Sequence, residues 1–160
     1  MLAGYGGPSV RLLNNYELAV WEAQEMSTHR EEIITGASPD DVWDAVRDVG
    51  ALHTRLVPGF VVDTRLEPGG RVVTFANGFV VREPIVAIDE AARRLVWTSV
   101  GGAASHYNAS LQVFATEGGG CRLIWIADFL PDEIASRIVG AMKAGAEEMR
   151  GHMDRLAAAR

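Results

Sequence analysis

The amino-acid sequence predicts an α+β domain in which a seven-stranded, curved antiparallel sheet wraps around one long C-terminal helix. Three observations predict it. Between Phe60 and Leu130, six segments rich in β-branched and aromatic residues follow one another with only short turns between them. Parallel neighbours need crossovers of a dozen or more residues, so this spacing dictates an antiparallel meander. A further strand and a well-signalled helix precede the meander, and after Pro131 apolar and small residues recur every three or four positions to Leu156, the period of a helix.

Taken in order, residues 1–25 open with the loop-like "MLAGYGGPS" and continue through "VRLLNNYELAVWEAQ", whose helical periodicity is weak. They read as an N-terminal extension, and Met26 serves equally well as the start of the domain, residues 26–160. "HREEIITG" reads as the first strand. In "SPDDVWDAVRD", Ser38 is placed to cap a helix, Pro39 fits its first turn, Asp40 and Asp41 complement its positive end, and Val42, Trp43 and Val46 supply a packing face. Gly50 is the expected stop, and "ALHTRLV" is expected to add a second short helix before Pro58-Gly59.

The meander then reads "FVVDTRLE", "RVVTFA", "FVVREPIVAID", "RLVWTSV", "HYNASLQVFAT" and "CRLIWIADFL", joined by "PGG", "NG", "EAAR", "GGAAS" and "EGGG". In the last helix the stripe comprises Ile134, Ile138, Ala141, Met142, Gly145, Met149, Met153 and Leu156. A sheet with one large concave face and a single helix across it leaves room for a ligand cavity at its open end.

Composition narrows the partners. A chain of 160 residues can bury roughly 70% of its unfolded surface, enough for a real core. Lys and Arg number 15 against 21 Asp and Glu, a formal charge of −6. These charges are scattered, which argues against nucleic acid or an anionic membrane as the main partner. Cys121 is the one cysteine, so there is no disulfide framework and no thiolate zinc site, and a cytoplasmic setting fits. No run of about 18 apolar residues is present, so no membrane span is expected. In such a setting the Asn108-Ala109-Ser110 sequon is a chance occurrence.

The four histidines form no metal-binding pattern, and "EPGGR" and "EGGGC" are hairpin turns rather than phosphate cradles. Neither a metal nor a cofactor is expected.

Alternation assigns the faces of "HYNASLQV" directly. Tyr107, Ala109, Leu111 and Val113 form an apolar set that should face the core, while His106 and Asn108 turn to solvent. The other strands are apolar on both faces, and composition alone does not phase them.

Four stretches, "ITGASPDDVWDAVRD", "EPIVAIDEAARRLVW", "GGAASHYNASLQV" and "GGCRLIWIADFLP", resemble the START-like (SRPBCC, helix-grip) superfamily, in particular its bacterial polyketide cyclase/dehydrase-like branch. The resemblance spans about residues 28 to 157. The glycine-pair loop and the "HYNAS" after it are also similar to the plant abscisic-acid receptors, where that loop helps to close over a hydrophobic hormone. None of these stretches is a catalytic signature.

The resemblance implies a START-like ligand-binding domain with a cavity between sheet and helix for a lipid, polyketide or similar small hydrophobic molecule. Phased by it, Val73 and Phe75 point inward, followed by Phe79, Val81, Glu83, Ile85 and Ala87, and then Leu95, Trp97 and Ser99. Ile124, Ile126 and Asp128 are expected inside on the last strand, leaving Trp125 outside, and Ile138 and Met142 face the cavity from the helix. The expected ligand-binding set is drawn from these residues together with Tyr107, Ala109 and Leu111.

Glu83 and Tyr107 are the catalytic candidates. A carboxylate in an apolar cavity either gains a partner such as Arg71 or stays protonated. In the second case Glu83 could serve as a general acid/base, with Tyr107 donating to a developing enolate and Trp97 stacking on the substrate. In the first case it anchors a ligand or a water network. Asp128 is either solvated or caps the final helix. His53 and Arg55 border the mouth in this fold, where His53 is either a general base or simply exposed.

Three functions therefore stand side by side. The first is a binding or carrier module for a small hydrophobic molecule. The second is a cofactor-independent aromatase/cyclase or dehydratase acting on a polyketide-like substrate. The third is an interaction module in a homo-oligomer, such as a homodimer, that docks through Trp125 or the N-terminal extension.

Overall fold

The computed structural model describes residues 26–160; the extension, and with it any role in dimer formation, lies outside the described residues. Strand β1 (Ser27–Thr35) leads into helix α1 (Pro39–Arg47) and a single π-type turn (Leu52–Leu56). Six strands follow: β2 (Val61–Glu67), β3 (Gly70–Phe75), β4 (Val80–Asp89), β5 (Arg94–Thr98), β6 (His106–Ala115) and β7 (Cys121–Leu130). A 3₁₀ turn (Asp132–Ile134) then enters helix α2 (Ala135–Ala158).

The seven strands form one sheet in the order β1-β7-β6-β5-β4-β3-β2, with every pairing antiparallel. Consecutive strands β2 to β7 are neighbours, as short turns require. β1 closes the order by pairing with the last strand from Ser27↔Phe129 to Thr35↔Cys121.

Local chemistry explains the first helix. The Ser38 hydroxyl accepts from the Asp41 backbone N–H at 3.2 Å, Pro39 occupies the first turn, and Val42, Trp43, Ala45 and Val46 are buried. The indole N–H of Trp43 donates to Glu90 Oε2 at 2.7 Å, tying α1 to the β4–β5 turn. The helix ends at Arg47, before the expected stop at Gly50, and the expected second short helix is present as one turn of π-helix. With five residues and no side-chain cap, that segment is too short to propagate.

Helix α2 is held against the concave face at its C-terminal half, where Ala146, Met149 and Met153 are buried. The Thr35 hydroxyl donates to Asp154 Oδ1 at 2.6 Å, fixing the end of β1 to this half of the helix. Gly145 makes the close approach possible, since a Cβ there would sit 3.1 Å from the Phe60 ring and 3.2 Å from the Trp125 ring. Further toward its N-terminus the helix parts from the sheet.

Two face assignments need correction. On β7 the buried residues are Cys121, Leu123, Ala127 and Phe129, and Trp125 shares their face. Register requires this, because Trp125 pairs with Leu111 and Phe129 with Tyr107, both on the concave side. Ile124, Ile126 and Asp128 therefore lie on the convex face, opposite Gln112, Ser110 and Asn108. On β4 a bulge between Ile85 and Ala87 reverses the alternation: Ile85 still pairs with Trp97, but Ala87 pairs with Val96 and is exposed.

No helix among the described residues is long and apolar enough to cross a membrane. The role of Ser38 gives a direct check on the helix start. Ser38→Ala should lower unfolding stability by about 1 kcal/mol in urea titrations, the usual loss for a side-chain cap.

Candidate functional site: a cavity between sheet and helix

Between the concave face and the N-terminal half of α2 lies a cavity of about 540 Å³. That volume lies within the range of small-molecule sites. Its walls are mainly aromatic and aliphatic. Phe60 and Phe75 meet edge to face with centroids 5.4 Å apart, and Trp97 and Trp125 lie 6.3 Å apart. Leu111, Ile138 and Met142 close the sides, and Leu52, Leu56 and Val57 from the π-type turn and its flank add a further wall.

One ion pair interrupts this lining. Arg71 and Glu83 face each other directly on β3 and β4, with side chains only 4% and 9% exposed. Nε and one terminal nitrogen of Arg71 both reach Glu83 Oε2 at 2.7 Å. Another guanidinium nitrogen donates to the Val49 backbone carbonyl at 3.3 Å, and the guanidinium carbon lies 5.8 Å from the Trp97 ring centroid. Of the two states expected for Glu83, this is the one in which the carboxylate gains a cationic partner. Its Oε1 has no hydrogen-bond partner among the described residues.

Tyr107 lies on the same cavity wall. Removal from water, and secondarily the negative charge of Glu83, push its phenol well above the ordinary tyrosine range. The phenol therefore keeps its proton at neutral pH and is available as a hydrogen-bond donor.

The mouth is bounded by Phe79, Asn77, Arg137 and the glycine-pair loop. Phe79 is 37% exposed, the Arg137 guanidinium lies 5.5 Å from its ring centroid, and a Cβ on Gly102 would approach its Cζ to 2.8 Å. Gly102 has φ +117°, a backbone region that disfavours any side chain. Glycine thus lets the β5–β6 loop rest on Phe79, whose ring Arg137 also approaches.

Phe75, Phe79, Val81, Glu83, Trp97, Ser99 and Tyr107 line the cavity, as do Leu111, Ile138 and Met142. Val73 and Ala109 share the concave face but are packed beneath it, 0% and 1% exposed, and form no part of the wall. Ile124 and Ile126 are on the opposite face. His53 does not reach the wall, and Arg55 is held by Asp48 at 2.8 Å and Asp44 at 2.5 Å. Asp128 is half-buried on the convex face. Trp125, cast above as an outward docking residue, is instead part of the cavity and is withdrawn from any interaction surface.

Sequence reasoning did not place Phe60, Asn77 or Arg137 in the site. Arg137 follows Ile134 by three residues and precedes Ile138 by one, so the helical stripe held a signal for it. No group of three or more His, Cys, Asp or Glu among the described residues is placed to hold a metal.

The family described as polyketide cyclase / dehydrase and lipid transport matches residues 26–159. The chain belongs to this family. No curated protein matches it. Among solved structures, this family member resembles XoxI from Bacillus cereus at 18% identity, covering 79% of this chain and 95% of that one, with a TM-score of 0.71. A Thermobifida fusca protein matches at 29% identity over 81% of this chain and 94% of its own, with a TM-score of 0.66. Norcoclaurine synthase from Thalictrum flavum, solved with dopamine and hydroxybenzaldehyde, matches at 18% identity over 100% of this chain and 96% of its own, with a TM-score of 0.67. These likenesses establish the helix-grip fold.

The buried pair yields a sharp prediction. Arg71→Met strands the Glu83 carboxylate and should cost about 3–5 kcal/mol of stability. Adding Glu83→Leu should restore most of the loss. Urea denaturation of the two variants measures both effects.

Proposed function

We propose that the protein binds a small hydrophobic molecule, of lipid or polyketide type, in the cavity between sheet and α2. The observation that carries this reading is the lining: aromatic and aliphatic side chains around a volume of about 540 Å³, with one internally neutralised ion pair. An apolar wall favours a ligand in proportion to the apolar area removed from water. The family description, which includes lipid transport, supports the same reading. A single buried Cys121, with its thiol pushed up to about 11 chiefly by burial, suits a chain working in the reducing cytoplasm.

A second reading is a cofactor-independent cyclase or dehydratase. One observation favours it: Glu83 Oε1 and the Tyr107 hydroxyl, both without partners among the described residues, lie on the same wall. Glu83 would move a proton and Tyr107 would stabilise a developing enolate by donating to it. Against a freely mobile catalytic carboxylate stands the grip of Arg71 on Oε2. In this reading Tyr107→Phe and Glu83→Gln would each abolish turnover while leaving ligand affinity largely intact.

The binding reading is tested with N-phenyl-naphthylamine, a neutral probe whose fluorescence rises in apolar surroundings. It should bind saturably to the wild-type protein. Ala141 is exposed and also lines the cavity, so Ala141→Trp can fill space without disturbing the core. This variant should weaken the probe at least tenfold with an unchanged urea midpoint. Equal binding to the variant and the wild type would place the probe elsewhere and defeat the reading.

A further inference from the structure

The register of the sheet aligns four polar side chains of the cavity in a single row. Arg71 pairs with Glu83 across β3 and β4. Arg82 and Val100 bridge β4 to the segment just after β5, with mutual backbone hydrogen bonds of 3.2 and 2.8 Å, so the next antiparallel pair inward is Glu83 opposite Ser99. The Ser99 backbone N–H donates to the Tyr107 carbonyl at 3.3 Å, which places Ser99 opposite Tyr107 on β6. Arg71, Glu83, Ser99 and Tyr107 thus form a row across β3, β4, the end of β5 and β6 on the concave face, and all four line the cavity.

The hydrogen-bonding capacity along this row is unequal. Arg71 is spent on Oε2 and on the Val49 carbonyl. Glu83 is 93% buried by its 7% exposure, yet its Oε1 accepts nothing from the described residues. The Tyr107 phenol likewise has no partner among them and retains its proton. An acceptor and a donor therefore flank Ser99 from either side, with adjacent strands about 4.8 Å apart. A hydroxyl is the smallest ligand group that can do both, donating to a carboxylate while accepting from a phenol.

We propose that this row is a hydroxyl-recognition subsite, and that the ligand is a hydrophobic, ring-bearing alcohol or phenol whose hydroxyl donates to Glu83 Oε1 and accepts from Tyr107. The proposal rests on the binding reading above and adds the polar group that the ligand must carry. A ketone or an ether offers no proton to Oε1, and a hydrocarbon leaves both groups unsatisfied in an apolar site. Rejection of such analogues follows from the cost of burying unpaired polar groups. The aromatic walls built by Trp97, Phe75 and Trp125 account for the ring.

The test compares 2-naphthol, 2-methoxynaphthalene and naphthalene by equilibrium dialysis against the full chain. The wild type should bind 2-naphthol at least about tenfold more tightly than either of the others, in the range expected for hydrogen bonds that include a charged partner. Naphthalene controls for size, since it is smaller than the ether and also lacks the hydroxyl. Tyr107→Phe should remove much of the preference, read as the ratio of 2-naphthol to naphthalene affinity. Glu83→Gln, checked for an intact fold by circular dichroism, should weaken 2-naphthol selectively. If all three probes bind equally, or if the preference survives both variants, hydroxyl recognition is wrong while the binding reading stands. If none of the three binds, both are wrong.

Discussion

Uneven coverage of the sheet by α2 is the constraint from which the rest of this structure follows. At one end Gly145 allows the helix backbone close to Phe60 and Trp125, Ala146 and Met153 complete a packed core, and Met149 stands where that core meets the cavity. The Thr35–Asp154 hydrogen bond locks that end to β1. At the other end the helix offers Ile134, Arg137, Ile138 and Ala141 to open space, and the sheet, curling around it, supplies the remaining walls. One helix therefore serves both as half of the core and as the roof of a cavity. The pairing of β1 with β7 holds this arrangement by joining the first strand to the last.

Within that cavity, the Arg71–Glu83 pair sets the chemical character of the wall. A lone carboxylate so deeply buried would cost several kcal/mol, and the facing position of Arg71 on the next strand supplies its counter-charge. Both donors converge on one carboxylate oxygen, so the pair is internally neutral and still presents a polar edge. A site of this kind tolerates an uncharged apolar guest and can orient it by one polar group. Phe79, between Gly102 and Arg137, gives the opening an aromatic rim.

The fold was legible in the sequence because its signals are local. Short turns enforce antiparallel neighbours, and the Ser38-Pro39 start and the α2 stripe depend on nothing distant. Faces were legible only where one side of a strand is polar, as in "HYNASLQV", whose tyrosine and leucine do line the cavity. β7 is apolar on both sides, with Ile124 and Ile126 on one and Leu123 and Trp125 on the other, so alternation alone could not orient it; cross-strand register does. The misplaced Ala87 follows from a bulge, an irregularity that a strict period of two cannot anticipate. Asn77 and Arg137 reach the mouth only through the tertiary meeting of a hairpin with a helix.

The methionines offer the most direct measurement of where a ligand sits. Met142 and Met149 line the cavity, Met153 is buried in the core beyond it, and Met26 precedes β1. With methyl-labelled methionine, titration of 2-naphthol into the protein should shift the Met142 and Met149 methyl resonances saturably and leave those of Met153 and Met26 in place. Shifts confined to Met153 or Met26, or no shift at any methionine up to the solubility limit of the probe, would contradict a ligand cavity between the sheet and the N-terminal half of α2.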